Sequence, residues 1–140
     1  MKSNRCVALL RGINVGGKNL IKMTDLKACF EAQGFGAVTT YIQSGNVLFT
    51  SAERDRAKLT LGIEAALAAT FAYRASVVVR SHAEMRSIVA GAPEGFGEAP
   101  ARYRYDVLFL KAPLTAAAAL KVVPVKDGVD EVHGGKGVLY

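Results

Sequence analysis

Tryptophan is absent from this 140-residue chain, and only two histidines, two cysteines and four prolines occur. Two cysteines, Cys6 and Cys29, cannot build a disulfide framework, and there is no Cys-x-x-Cys or Cys/His set at metal-ligand spacing. Both lie in apolar patterns, which reads as buried thiols in a reducing compartment. His82 and His133 fit no nucleophile or metal spacing, and the twelve carboxylates include no pair of diagnostic spacing. The sequence therefore assigns no catalytic residue, metal or cofactor, and an enzyme is the least supported class. Before Arg11 the N-terminus has a run of only five apolar residues, too short for a signal peptide or a membrane helix. A cytoplasmic chain with no membrane association is expected.

What is present points to a folded domain. Half the residues are apolar (51%) and mean hydropathy is +0.21, so a hydrophobic core can form. A chain of this length buries roughly two-thirds of its unfolded surface, enough to fold without metal or disulfide staples. The formal charge is +6 and the pI about 9.5, which keeps phosphates, anionic metabolites and nucleic acid open as partners. Lys and Arg are scattered rather than run together, so there is no basic tail.

Arg5 to Arg11 reads as a buried strand, followed by the Gly-rich loop Gly12 to Asn19. Thr24 is placed to cap a helix through Gln33, with Met23, Leu26, Cys29 and Phe30 on its buried face and Gly34 as its stop. Residues 37–43 and 47–50 read as a hairpin turning at Ser44-Gly45-Asn46. A helix is expected over Glu53 to Phe71, with Leu59, Ile63, Ala66, Leu67 and Thr70 inward. A strand over Ser76 to Arg80 leads to a short helix opened by a Ser81/Glu84 capping box. The Gly- and Pro-rich loop 91–101 then precedes a strand over Tyr103 to Leu110. A helix over Thr115 to Lys121 and a final hairpin, Val129 to His133 with Gly137 to Tyr140, complete the chain. The order gives an α+β fold with a ferredoxin-like βαββαβ N-terminal lobe, residues 1–80, and a smaller C-terminal α/β lobe, residues 81–140. No linker composition separates them, so one compact unit with two lobes is expected.

RGINVGGKN (Arg11 to Asn19), the following Ile21 to Met23, and YIQSGNVLF (Tyr41 to Phe49) together resemble the bacterial domain-of-unknown-function family numbered 1697. The resemblance implies an α+β fold with ferredoxin-like lobes and no established biochemical activity, so it transfers no catalytic residue. Family members usually continue into a segment with an Arg-Asn-Trp-like motif. This chain ends at Tyr140, inside an expected strand, so it reads as a shortened chain or a short member, and a site shared with that segment would be incomplete.

Gly12 to Asn19 is one residue type away from the phosphate-loop pattern G-x-x-x-x-G-K-[ST]. Backbone N–H groups of such a loop form an anion-binding concavity, and Lys18 can reach a phosphate. Three features oppose nucleotide hydrolysis. Asn19 stands where a Mg²⁺-binding hydroxyl belongs, the expected helix opens well after Lys18, and no later strand ends in a supporting Asp. A looser anion site formed by Arg11, Gly12, Asn14, Gly16, Gly17, Lys18 and Asn19 stays open. Against it stands a scaffold in which the glycines supply positive φ and the asparagines bond their own loop. Tyr41, Gln43, Ser44 and Asn46 form a second polar cluster, which turn chemistry alone also explains. Whether it shares an end with Gly12 depends on a pairing register that sequence does not specify. The alternating Arg102, Tyr103, Arg104 and Tyr105 fit two faces of a strand. The functional reading is a module binding an anionic small molecule or nucleotide at the Gly-rich loop. The alternatives are a nucleic-acid binder using a basic surface and a scaffold that dimerises through a sheet edge.

Overall fold

The computed structural model describes residues 4–14, 20–41, 45–72 and 74–140. They form an α+β fold that divides into two units, Met1–His82 and Ala83–Tyr140.

In the first unit, strands β1 (Asn4–Arg11), β2 (Gly36–Tyr41), β3 (Asn46–Ser51) and β4 (Ser76–Ser81) make one antiparallel sheet, ordered β2-β3-β1-β4. Helices α1 (Met23–Ala32) and α2 (Arg56–Phe71) supply the two crossovers. Alternation along the strands divides the sheet's faces. Cys6, Ala8 and Leu10 of β1, Val47 and Phe49 of β3, and Val77 and Val79 of β4 enter a core with Leu26, Phe30, Ile63 and Leu67 of the helices. Phe30, Phe35 and Phe49 meet in this core with ring centroids 4.7–6.0 Å apart. The other face carries Arg5, Val7, Leu9 and Arg11 of β1 beside Leu48, Asn46, Val78 and Arg80.

Helix α1 has the expected buried face of Leu26, Cys29 and Phe30, but it opens one residue before Thr24. Its N-cap is Lys22, with no side-chain capping bond. Helix α2 starts later than its composition suggests. The Ser51 hydroxyl accepts from Glu53 N–H, Glu53 from Asp55 N–H, and Asp55 from Lys58 N–H, at 3.0, 3.0 and 3.1 Å. Each short polar side chain offers the backbone a partner outside the helix, so residues 51–55 stay non-helical and Asp55 becomes the N-cap. The bond from Asp55 N–H, with Lys58 nearby, also holds the Glu53 carboxyl below its ordinary pKa. Replacing Asp55 with Ala should cost about 1 kcal/mol by chemical denaturation. At the other end, Ala72 caps α2 in the left-handed region at φ 55°. Ala72→Gly should therefore raise stability by up to about 1 kcal/mol, read from the denaturation midpoint. Thr70, expected on the inner face, is exposed, although the Cys29 thiol donates to its hydroxyl at 3.6 Å.

Strand β4 lies at a sheet edge, where unpaired N–H groups invite another strand. One of them, Val77 N–H, is taken by the Glu64 carboxylate of α2 at 3.1 Å.

The second unit contains α3 (His82–Ala90, whose first residue belongs to the first unit), β5 (Leu108–Phe109), α4 (Ala116–Val122) and β6 (Val138–Leu139). Strands β5 and β6 pair antiparallel, and Ile88, Val138 and Tyr140 form a small core with Met85, Phe96, Val107 and Phe109 beside it. The Tyr140 hydroxyl, donating to the Ile88 carbonyl at 2.5 Å, ties the last residue to α3. Two expectations need correction. The strand over Tyr103 to Leu110 shrinks to Leu108–Phe109, because Arg102 and Tyr103 N–H both bond the Ala99 carbonyl and turn the chain instead. Residues 129–133 are not a strand: Lys126 N–H bonds Asp130 and Asp130 N–H bonds the Lys126 carbonyl, which closes a turn. From the expected final hairpin, His133, Gly134 and Gly135 pair back on residues 138–140.

Candidate functional site

Strand β1 runs from the core to the Gly-rich loop and delivers Arg11, exposed, at its end. Gly12 follows at φ 78°. Ile13 is only 1% exposed and enters the core, so the isoleucine of RGINVGGKN is an anchor. Asn14 takes φ 54° and spends its side chain on the chain itself. Its Oδ1 accepts from Ile21 N–H at 2.8 Å and its Nδ2 donates to the Ile21 carbonyl at 3.1 Å. Ile21 is buried, so this pair pins both ends of the loop against the core. Gly16, Gly17, Lys18 and Asn19 lie outside the described residues, as do Gln43 and Ser44.

The β2–β3 turn reaches the same end of the sheet. Leu10 N–H donates to the Gly45 carbonyl at 2.9 Å, and Leu9 stands opposite Asn46 in the β1–β3 register. Gly45 sits at φ 91° against Ile13 and Leu10; a Cβ there would lie 2.8 Å from Ile13 Cδ1 and 3.0 Å from Leu10 Cβ. The two sequence motifs therefore touch through Gly45 and Ile13. Asn46 Nδ2 donates to the Tyr41 carbonyl at 3.2 Å and steadies the hairpin end. Tyr41 itself is 64% exposed.

This end of the sheet thus brings together Arg11, Gly12, Asn14, Tyr41 and Asn46 from the two clusters. Asn14 is committed to the loop's own backbone, whereas Arg11 and Tyr41 face solvent. Leu20, just after the loop, is 74% exposed, and no periodic pattern in the sequence includes it. The charge is also segregated: residues 1–82 hold eleven Lys and Arg against five Asp and Glu, while residues 83–140 hold seven of each. The whole net charge of +6 belongs to the unit carrying this loop.

The surroundings separate this loop from a hydrolytic phosphate loop. In such proteins the loop joins a strand of a parallel sheet to a helix opening at the lysine. Here the sheet is antiparallel throughout and α1 opens at Met23, well after Lys18. Among the described residues, no three His, Cys, Asp or Glu side chains group as metal ligands. His82 is exposed at the start of α3, and His133 Nε2 lies 3.2 Å from the exposed Glu131 carboxylate. No helix among the described residues is long and apolar enough to cross a membrane.

The sequence profile of the family described as "Protein of unknown function (DUF1697)" matches residues 3–140. The chain belongs to this family. Its fold is similar to "The structure of conserved bacterial protein SP0830 from Streptococcus pneumoniae", with a TM-score of 0.80 and 29% identity. The match covers 99% of this chain and 76% of that one. No functionally curated protein matches the chain. Neither this DUF1697 family nor the similar structure is described with an activity.

Proposed function

We propose that this DUF1697 chain is a binding module that holds an anionic small molecule or a nucleotide where the β1–α1 loop meets the β2–β3 turn. The observation that carries this reading is the Leu10–Gly45 hydrogen bond with the Gly45–Ile13 contact, which joins two motifs distant in sequence. Irregular loops anchored on rigid strands are a common location for binding groups. The Asn14 clamp and the buried Ile13 supply that anchoring. Arg11 offers a guanidinium at the mouth, and Lys18 and the glycines around it are the sequence's candidates for the anion itself. The concentration of positive charge in residues 1–82 favours an anion.

The ferredoxin-like assignment belongs to this reading. Two β-α-β crossovers with another strand paired between their ends, in the order β2-β3-β1-β4, support it. Cytoplasmic residence also belongs to it, supported by two cysteines, Cys6 and Cys29, that lie buried in the core of the first unit.

A second reading has one specific observation in its favour. Arg5, Arg11 and Arg80 share the sheet face of Tyr41, Leu9 and Leu48, the combination of basic and stacking groups that single-stranded nucleic acid uses. It predicts oligonucleotide retention that weakens steeply with salt. A dimer through the β4 edge has less support, since Glu64 occupies Val77 N–H there.

Thermal unfolding with a panel of phosphate, pyrophosphate and nucleotides tests the leading reading. At least one phosphate-bearing ligand should raise the Tm, and Arg11→Ala or Lys18→Ala should abolish the increase. At a ligand concentration of about 100 Kd the stabilisation amounts to roughly 2.7 kcal/mol. A flat response across the panel rejects the reading.

A further inference from the structure

The second unit holds a cavity of about 480 Å³, within the range of small-molecule sites. All its lining residues come from residues 93–140. One wall is aromatic, made of Phe96, Tyr103, Tyr105 and Tyr140. Phe96 meets Tyr105 and Tyr140 edge-on, with centroids 5.0 and 5.6 Å away. These side chains are held in place: the Tyr105 hydroxyl accepts from Ala99 N–H at 3.1 Å and the Tyr140 hydroxyl bonds Ile88.

The charge of the lining runs against that of the protein. The chain carries +6, yet the cavity presents Glu94, Asp106, Asp130 and Glu131 against Arg104 and His133. Three of these carboxylates have ion-pair or hydrogen-bond partners. Asp106 pairs with Arg104 at 3.2 Å, Glu131 faces His133 at 3.2 Å, and Asp130 accepts from Lys126 N–H at 2.9 Å. An aromatic ring presents a negative face to a cation, and one wall residue already receives one: the Arg102 guanidinium carbon lies 5.2 Å from the Tyr103 centroid. An anion would meet the carboxylates unfavourably. A metal ion has no cluster of three ligands among the described residues.

We propose that this cavity is a second binding site, independent of the anion site, that takes an organic ammonium ion with a small apolar body. The aromatic wall contacts the apolar groups on the cation, and the carboxylates compensate its charge. The same chemistry is offered by a free amine and by a lysine side chain of a peptide.

Choline and its neutral isostere 3,3-dimethyl-1-butanol distinguish charge recognition from simple apolar filling. With no tryptophan in the chain, tyrosine emission and tyrosine ring NMR signals report directly, since three of the five tyrosines line the cavity. Choline should shift the Tyr103, Tyr105 and Tyr140 signals saturably, and the isostere should bind about tenfold more weakly. Tyr103 is 47% exposed, so Tyr103→Leu should fold and weaken choline binding, and Glu94→Gln should do the same without touching the aromatic wall. N-acetyl-lysine methylamide provides the peptide arm: tighter binding than choline assigns the site to protein side chains, weaker binding to free ammonium compounds. Equal binding of choline and its isostere, no saturable shift, or undiminished choline binding in both variants overturns the proposal.

Discussion

Gly45→Val should lower the unfolding free energy by about 3 kcal/mol, the sum of left-handed backbone strain and overpacking of a filled site. The wild-type residue sits at φ 91°, and a β-carbon there would overlap Ile13 Cδ1 at 2.8 Å. Neither neighbour can yield cheaply. Ile13 is 1% exposed inside the core and Leu10 is 6% exposed on the central strand. Gly45→Ala should show the same effect at smaller size, because it adds the strain and the first contact but no branched methyls. Urea denaturation of the two variants checks the order. A loss below 1 kcal/mol for valine would mean that the turn does not pack on Ile13.

Asn14→Ala should cost about 2 kcal/mol, the range expected when two backbone groups of a buried residue lose their partner. Both hydrogen bonds to Ile21, at 2.8 and 3.1 Å, disappear together, and alanine tolerates φ 54° less well than asparagine. Asn14→Asp separates the two contributions. Aspartate can still accept from Ile21 N–H but places a second oxygen against the Ile21 carbonyl, so it should fall between the wild type and alanine. The same variants probe binding, since a loop released from Ile21 should hold an anion less well even with Arg11 and Lys18 present. Denaturation midpoints and a phosphate titration on each variant measure both effects.

The elements that sequence made legible are those whose side chains repeat with the geometry of the backbone. Leu26, Cys29 and Phe30 recur at helical spacing and are buried together in α1. The β2–β3 hairpin was visible from its β-branched residues and its Gly-Asn turn, and residues 36–41 and 46–51 pair accordingly. Boundaries decided by side chains bonding to the backbone were not legible. Three bonds in succession over residues 51–58 delay α2, and Lys22 replaces Thr24 as the cap of α1 once Ile21 is bound to Asn14. The C-terminal strands failed for a related reason, because turns through Ala99 and Lys126 take up the backbone groups that a ladder needs. At the site, the residue types and the two motifs were legible, but their meeting was not. That Gly45 lies against Ile13 follows from the antiparallel register of β1 and β3, in which Leu9 opposes Asn46. A one-residue slip would turn every side chain of β3 to the other face, and local composition does not specify the register.

The account centres on one anion-binding end of the sheet assembled from both motifs. Its most direct test is an amide-resolved NMR titration of the chain with pyrophosphate. The account predicts saturable shifts in Arg11 and Gly12 together with Tyr41, Gly45 and Asn46 across the junction, and loss of all of them in Arg11→Ala. Shifts absent from these five amides, or unchanged by Arg11→Ala, would contradict it.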